Sequence, residues 1–226
     1  MRTEARRERV LETAIESTVP VAAAAPPSSE GAGVSRRGLI DSPQPAAIRL
    51  LAVVAFAALG LGWDLWSKSA VFAKLGCPGS LPVWKGQILG VSIRFELETT
   101  FNHGALWGMG QGQTWLFASL SFVAIGAIGY FLWNRQAIAS RWLTAATSLL
   151  LAGTLGNLFD RLGLHGLKDL HGETVYAVRD FLDFWFFNDG FHWATFNFAD
   201  TYLVVGASML VLQSFWVPAE NEIARS

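Results

Sequence analysis

The chain has 226 residues, of which 52% are hydrophobic and 15% are charged, and its mean hydropathy is positive at +0.34. Soluble domains carry about 25% charged residues, so this composition indicates a protein whose main solvent is lipid. The formal net charge of −1 gives no basis for a nucleic-acid partner, and the single cysteine excludes an internal disulfide and a cysteine-rich metal cluster.

The first 45 residues differ in composition from the rest of the chain. They begin with mixed arginine and glutamate and continue into a stretch rich in alanine, proline, serine and glycine. Such a segment buries too little apolar surface to offset the entropy that is lost on ordering. We therefore expect residues 1–45 to form a disordered cytoplasmic tail, and residues 219–226 to form a short cytoplasmic tail at the other end.

Four apolar runs approach the length of about 17 to 25 residues that crosses a bilayer. They are Leu50–Trp63, Trp115–Trp133, Trp142–Phe159 and Tyr202–Val217. Asp64 and Lys68 interrupt the end of the first run, and their spacing of four places them on one helix face where they can pair near the membrane surface. The runs predict a four-helix membrane domain over residues 46–218.

Charge in the short loop between the second and third runs predicts the orientation. Residues 134–141 carry Arg135 and Arg141 and no acidic residue. By the positive-inside rule this loop is cytoplasmic, which makes both termini cytoplasmic as well. Segments 69–113 and 161–195 are then extracytoplasmic.

Two stretches of these outer segments have the character of β-strands. Residues Val91–Thr99 alternate apolar and polar side chains, and Val175–Trp185 is rich in aromatic and β-branched residues. The expected fold class is an all-α polytopic membrane protein, with four transmembrane helices and a small extracytoplasmic β-sheet.

Two aspartates lie at the ends of the third and fourth spans that are on the same side of the membrane. Asp160 ends the third span and Asp200 begins the fourth, and Asn157 and Asn197 each precede one of them by three residues. Two adjacent carboxylates share a proton, so the ionised one can activate water while the protonated one donates to a substrate carbonyl. The pattern predicts an aspartic peptidase dyad. The structural alternative is that Asp160 pairs with Arg161 and that Asp200 caps its helix.

Five segments in order resemble motifs of the lipoprotein signal peptidases, the signal peptidase II family. The aspartate motifs of that family are matched by Gly156-Asn157-Leu-Phe-Asp160-Arg161 and Phe196-Asn197-Phe-Ala-Asp200. Its Asn-x-Gly-Ala-Phe-type, Asp-x-x-Thr-Lys and Val-Asp-Phe segments are matched by Phe101-Asn102-His-Gly104-Ala105, Asp64-Leu-Trp-Ser-Lys68 and Arg179-Asp180-Phe. Residues 162–179 are longer than the corresponding link of the family, which is read as a loop insertion in preference to a lid.

The resemblance implies cleavage of bacterial prolipoprotein signal peptides, immediately before a diacylglyceryl-modified cysteine. It implies that Asp160 and Asp200 are catalytic, and that Asn102, Gly104, Asn157 and Asn197 bind substrate. Arg161, Asp64, Lys68 and Asp180 are expected to support the site structurally. The expected partners are lipid-modified prolipoprotein signal peptides and membrane lipids, without a metal or other cofactor. The chain is expected to act as a monomer in the bacterial cytoplasmic membrane, with its site near the outer leaflet.

Other functional classes receive less support from the motifs. The four histidines lack metallopeptidase spacing, and no Gly-x-Ser-x-Gly motif indicates a serine nucleophile. A proton-coupled transporter would also use intramembrane carboxylates, although four spans without a repeat are few for that class. A non-catalytic lipid-binding membrane protein, with the aspartates anchoring helix ends, is the remaining alternative.

Overall fold

The structure is a computed structural model that describes residues 46–104, 110, 112–134 and 136–216. The expected tails at 1–45 and 219–226 lie outside these residues, as does the stretch 105–109. The helices described are α1 (Ala46–Leu75), α2 (Thr114–Trp133), α3 (Arg141–Arg161) and α4 (Phe198–Trp216). A 3₁₀ turn at Gln136–Ile138 precedes α3, and the strands are β1 (Gly79–Ile88), β2 (Val91–Asn102), β3 (Val178–Phe186) and β4 (Phe191–Phe196).

All four helices are long and apolar enough to cross a membrane. This confirms the four spans expected from the sequence and makes the chain a multi-pass membrane protein. The first helix differs from expectation in length, since α1 has 30 residues and continues through Asp64 and Lys68 to Leu75. Its two charged residues do not end it, because they are paired inside the protein.

An antiparallel sheet of four strands, in the order β1-β2-β3-β4, corrects the all-α description of the fold. Strands β2 and β3 were expected, whereas β1 and β4 were not. The sequence of β1 contains Pro82, Lys85 and two glycines, all of which weaken a strand pattern. Proline is tolerated there because β1 is an edge strand and needs fewer hydrogen-bond donors.

The sheet has one aromatic face and one polar face. Phe95, Phe184 and Phe196 belong to three neighbouring strands, and their rings stack with centroids 4.6 and 5.9 Å apart. The opposite side of the same strands carries Glu96 and Asp183, which are register partners. Side chains alternate between faces along a strand, so this separation follows directly from the sequence pattern.

Helix α3 is the central helix, because it packs against α1, α2 and α4. It begins at a clear cap, where the Ser140 side chain accepts a hydrogen bond from the Leu143 N–H. Small residues allow the close approach of its neighbours. Gly60 of α1 faces Ala152, and Gly153 faces the backbone oxygen of Ala199 at the start of α4.

Candidate active site

Asp160 is fully buried and held by two cations. One of its carboxylate oxygens accepts hydrogen bonds from Nε and Nη2 of Arg179, at 3.0 and 2.8 Å. The other accepts from the Arg179 backbone N–H at 3.1 Å and lies 3.2 Å from Lys68 Nζ. The sequence offered Arg161 as an alternative partner of Asp160. In the structure, Asp160 forms ion pairs with Arg179 and Lys68.

Lys68 is likewise fully buried, at the centre of a charge network. Its ammonium lies 2.7 Å from Asp64 Oδ2 and donates to Asn157 Oδ1 at 3.2 Å. Asp64 Oδ1 accepts from the Ala199 N–H at the start of α4, which ties three helices together. The expected Asp64–Lys68 pair is therefore present, and both side chains are fully buried inside the bundle.

Asp200, in the first turn of α4, is linked to this network through Asn157. Asn157 donates from Nδ2 to Asp200 Oδ1 at 2.7 Å, and the backbone N–H of Asn197 donates to Oδ2 at 3.2 Å. Asn197 Oδ1 in turn accepts the Asp200 backbone N–H at 3.0 Å. The half-buried carboxylate therefore receives hydrogen bonds from neutral groups and leaves room for solvent.

Asp180 of β3 is the second acidic group beside Asp200. Its carboxyl group is buried and accepts hydrogen bonds from the side-chain amides of Asn197 and Asn102. Burial and the negative charge of Asp200 raise the pKa of Asp180 to about 8, against the smaller lowering effects of the two asparagines. At neutral pH, Asp180 thus carries a proton close to an acceptor carboxylate.

Asp160 and Asp200, which were expected from the sequence as the catalytic pair, contact different groups in the structure. Both oxygens of Asp160 are engaged by cations, since one accepts from the Arg179 guanidinium and the other lies 3.2 Å from Lys68 Nζ. Asn197 instead contacts both Asp180 and Asp200, and the negative charge of Asp200 contributes to the raised pKa of Asp180. From the sequence, Asp180 was expected to support the site structurally, and the structure places its carboxyl group against Asn197, which also contacts Asp200.

The expected substrate-binding residues lie around this pair of carboxyl groups. Asn102, at the end of β2, donates to Asp180 and accepts the Gly104 N–H at 3.0 Å. Arg161 donates to the Gly104 carbonyl at 3.4 Å and stacks over Phe117 with its guanidinium carbon 5.4 Å from the ring centre. The structure thus brings together Asn102, Gly104, Asn157, Asn197 and Arg161 at one end of the bundle.

Sequence reasoning did not identify Arg179 as the partner of Asp160. The available signal was a positive charge in the strand Val178–Phe186, which is otherwise mostly apolar and aromatic. A charged residue in such a strand needs an ionic partner when it is buried. Arg179 also donates to Ser69 on α1 at 3.1 Å, so it joins the sheet to the helices.

A separate polar cluster supports the sheet on its other face. The fully buried Asp183 accepts hydrogen bonds from Trp185 Nε1 at 2.6 Å and Thr195 Oγ1 at 3.1 Å, and it contacts His192 Nε2. His192 stacks on the Trp185 ring with centroids 4.1 Å apart. Asp183 therefore joins β3 to β4, the strand that leads directly into Asn197.

Gly156 is a position where helix packing requires the absence of a side chain. A Cβ atom there would lie 2.5 Å from Asp64 Oδ2 and 3.2 Å from the Cβ of Ala199. We expect Gly156→Ala to destabilise the fold by about 1–3 kcal/mol and to reduce activity, because the Asp64 carboxylate on α1, which is paired with Lys68, would have to move away from α3. Unfolding by denaturing detergent measures the first effect.

Gly126→Ala is the matched control for this prediction. Nothing lies within 4 Å of a Cβ at Gly126, which is also inside a membrane-spanning helix. This control should be as stable as the parent chain. Equal stability of the Gly156→Ala variant would show that Asp64 on α1 can move away from α3 without cost, contrary to the close contact in the structure.

No group of three or more histidine, cysteine or acidic side chains is arranged to hold a metal ion in the part of the chain that the structure describes. Asp180 and Asp200 are two carboxyl groups linked through Asn197, and Asp200 is only half-buried. Such a pair can take a proton from water and return one to a substrate.

Comparison with known proteins gives a consistent result. A family model described as signal peptidase (SPase) II matches residues 56–216. The chain is 41% identical over 152 residues to a lipoprotein signal peptidase of Rhodopirellula baltica, and 39% identical over 132 residues to one of Aeromonas hydrophila. These matches cover 67% and 56% of this chain, and 66% and 71% of the relatives; the first is just under two thirds of the relative's length.

A solved structure described as a bacterial membrane enzyme has a similar fold. It superposes with a TM-score of 0.55 at 24% identity, covering 72% of this chain and 87% of the solved one. At that level of identity the likeness concerns the fold alone.

Proposed function

Because the chain belongs to the signal peptidase II family, we propose that it is a membrane aspartic endopeptidase that removes signal peptides from diacylglyceryl-modified prolipoproteins, cutting immediately before the lipidated cysteine. The observation that carries this proposal is the coupling of Asp180 to Asp200, both of which contact Asn197. The catalytic pair we propose is therefore Asp180 and Asp200, with Asp160 as a structural anion.

The mechanism follows from the different surroundings of the two carboxyl groups. Asp200 is half-buried, receives neutral hydrogen bonds and acts as the base that takes a proton from water. Asp180 is buried, protonated at neutral pH and donates to the oxygen of the scissile carbonyl as the hydroxyl attacks. As the tetrahedral intermediate collapses, the C–N bond breaks, the leaving amine takes the proton from Asp200, and one hydroxyl of the intermediate returns its proton to Asp180. Because the nucleophile is water, no covalent enzyme intermediate forms.

The asparagines give this pair its geometry. Asn102 and Asn197 donate to Asp180, while Asn157 donates to Asp200, so each carboxyl group has a fixed orientation before substrate arrives. The backbone of Gly104 lies beside Asn102 without a side chain, which would allow the extended peptide to approach. Arg161 holds the Gly104 carbonyl in position by donating a hydrogen bond to it.

We further propose that the sheet is extracytoplasmic and that both termini are cytoplasmic. The supporting observations are the basic residues Arg135 and Arg141 between α2 and α3, and the aromatic face of the sheet. Aromatic side chains settle at the headgroup level, where the diacylglyceryl group of a substrate would remain in the outer leaflet. The scissile amide would then meet the carboxyl pair beside water.

A reconstituted assay tests the proposed function. The full chain in vesicles should cleave a diacylglyceryl-modified precursor to a product whose mass begins at the modified cysteine, and should leave the unmodified precursor intact. Absence of cleavage, combined with proton-driven uptake into the same vesicles, would support a transporter instead. Absence of both activities would leave a non-catalytic lipid-binding protein as the better description.

The pH dependence of cleavage provides a further prediction. The acid role requires a proton on Asp180, whose pKa is about 8, so kcat/KM should fall as the pH rises through about 8. Titration of kcat/KM against a lipidated precursor between pH 6 and 10 measures this limb. A rate that stays constant to pH 10 would contradict the role of Asp180 as acid.

The pH dependence of the free energy of unfolding tests the raised pKa of Asp180 independently of catalysis. The pKa of Asp180 is higher in the folded chain than its ordinary value of 3.8, so the folded state binds this proton more tightly. The contribution of Asp180 to stability is present in full below pH 3.8 and is lost as the pH rises through about 8. Asp180→Asn should remove that part of the pH dependence.

A further inference from the structure

A pocket beside the carboxyl pair lies between the end of β2, the start of α2 and the segment that joins α3 to β3. Its volume of about 540 Å³ is within the range of about 300–1,000 Å³ that is typical of ligand pockets. We call it the insertion pocket, and its lining includes Phe101, His103, Trp115, Lys168 and Tyr176. The longer link between α3 and β3 therefore builds one wall of a cavity.

Residues 165–176 form a hairpin that is fixed against the rest of the protein. Lys168 and Thr174 pair as an antiparallel bridge, which closes the hairpin. The Tyr176 ring lies 5.5 Å from the ring of Trp115 at the start of α2, measured between centroids. The walls of the insertion pocket are thus held together by backbone pairing on one side and by aromatic packing on the other.

Charge in the insertion pocket comes from the same hairpin. Among the lining residues that the structure describes, the charged side chains are those of Lys168 and Asp169. The Asp169 carboxylate accepts hydrogen bonds from the backbone N–H groups of His171 and Glu173, at 2.8 and 2.9 Å. These donors offset part of its negative potential and hold it in the turn. The exposed ammonium of Lys168 is therefore the charge that meets a ligand entering the pocket.

Two segments of the chain connect the insertion pocket to Asp180. Phe101 and His103 line the pocket, and Asn102 between them donates to Asp180 at 3.0 Å. Tyr176, also on the lining, precedes Asp180 by four residues. An extended chain covers about 3.3–3.6 Å per residue. A peptide whose scissile amide lies at Asp180 thus reaches the pocket with about the third or fourth residue from the cut.

We propose that the insertion pocket binds the third and fourth residues after the lipidated cysteine of a precursor, and that Lys168 favours an acidic side chain there. This specificity rests on the proposed peptidase function and on the proposed extracytoplasmic position of the sheet. The signal helix and the acyl chains are apolar and stay in the bilayer, so the peptide after the cysteine is the part of the substrate that lies in water. Aromatic rings beside charged and hydroxyl groups suit such a peptide.

Cleavage of two lipidated precursors by the full chain in vesicles of phosphatidylcholine tests the proposal. The precursors are identical except for aspartate or lysine at the third and fourth residues after the cysteine. We expect the parent chain to cleave the aspartate precursor with a kcat/KM about threefold higher, the effect of one exposed ion pair, and Lys168→Glu to reverse this order. Each ratio compares two precursors in one enzyme preparation, so partial unfolding of a variant does not change it.

Lys85→Glu is the matched control for charge. It reverses an exposed lysine on β1 that does not line the pocket, and it should keep the parent ratio. If neither precursor is cleaved by the parent chain, both the peptidase function and this specificity fail. If both are cleaved but the ratio is the same in the parent chain and in Lys168→Glu, the peptidase function stands and the insertion pocket does not bind this part of the substrate.

A second variant tests the aromatic wall without altering charge. Trp115→Ala should raise KM about fivefold for the aspartate precursor, and should have no such effect on a precursor that ends one residue after the cysteine. Trp133→Ala is its control, since Trp133 is an exposed tryptophan at the other end of α2. An equal rise in KM for the long and the truncated precursor would overturn the proposal, because Trp115 would then contact a part that both substrates share.

Discussion

Replacing Asp180 with asparagine is expected to reduce cleavage of a lipidated precursor by about 10³-fold or more, while leaving the folded structure intact. Loss of an acid or base in the transition state typically costs 10²–10⁴-fold. Asparagine is neutral and nearly isosteric with the protonated carboxyl group that Asp180 presents at neutral pH. Asp200→Asn should cause a similar loss, since the base would be missing. Cleavage rates and detergent-induced unfolding of both variants measure activity and stability separately.

The Asp160→Asn variant distinguishes the two possible pairs. If Asp160 is a structural anion, its loss leaves Arg179 and Lys68 short of a partner, so activity falls because the fold is destabilised. The double variant Asp160→Asn/Arg179→Gln removes one charge of each sign and should recover part of the stability and activity. An Asp180→Asn variant that cleaves at the parent rate, beside a folded but inactive Asp160→Asn variant, would return the catalytic role to Asp160.

The second large effect is expected from Lys68→Met, which should destabilise the fold by about 3–5 kcal/mol. Lys68 is the cation between Asp64 and Asp160, and all three side chains are fully buried. Removing one partner of a buried ion pair leaves uncompensated charge in a medium of low dielectric constant. The loss should appear in the detergent concentration at which the helices unfold, and activity should fall with it.

Two companion variants separate this effect from a general cost of losing a lysine. Lys74→Met changes an exposed lysine on the same helix and should unfold like the parent chain. Lys68→Met/Asp64→Asn removes one charge of each sign and should be more stable than Lys68→Met alone. If Lys68→Met and Lys74→Met were equally stable, the buried network would not contribute to stability as the ion-pair distances indicate.

The sequence correctly predicted the helices and strands whose pattern is visible within a short run of residues. Apolar runs of membrane-spanning length predicted the four helices, and the alternation in Val91–Thr99 predicted most of β2. Strands β1 and β4 were missed because their stability comes from pairing with β2 and β3, which are distant in sequence. β-propensity reflects such cross-strand contacts more than any intrinsic preference of the residue.

The sequence alone therefore determined the four membrane spans and the positions of Asp160 and Asp200 at helix ends. The reason is that membrane insertion and helix length depend on consecutive residues. The proposed pairing of Asp200 with Asp180 could be inferred only from the tertiary structure. Arg179 and Asp180 are adjacent in the chain but alternate across β3, so one neutralises Asp160 while the other faces Asn197. Which carboxyl group keeps a proton depends on the burial and charge that this arrangement creates, and neither property is carried by a motif.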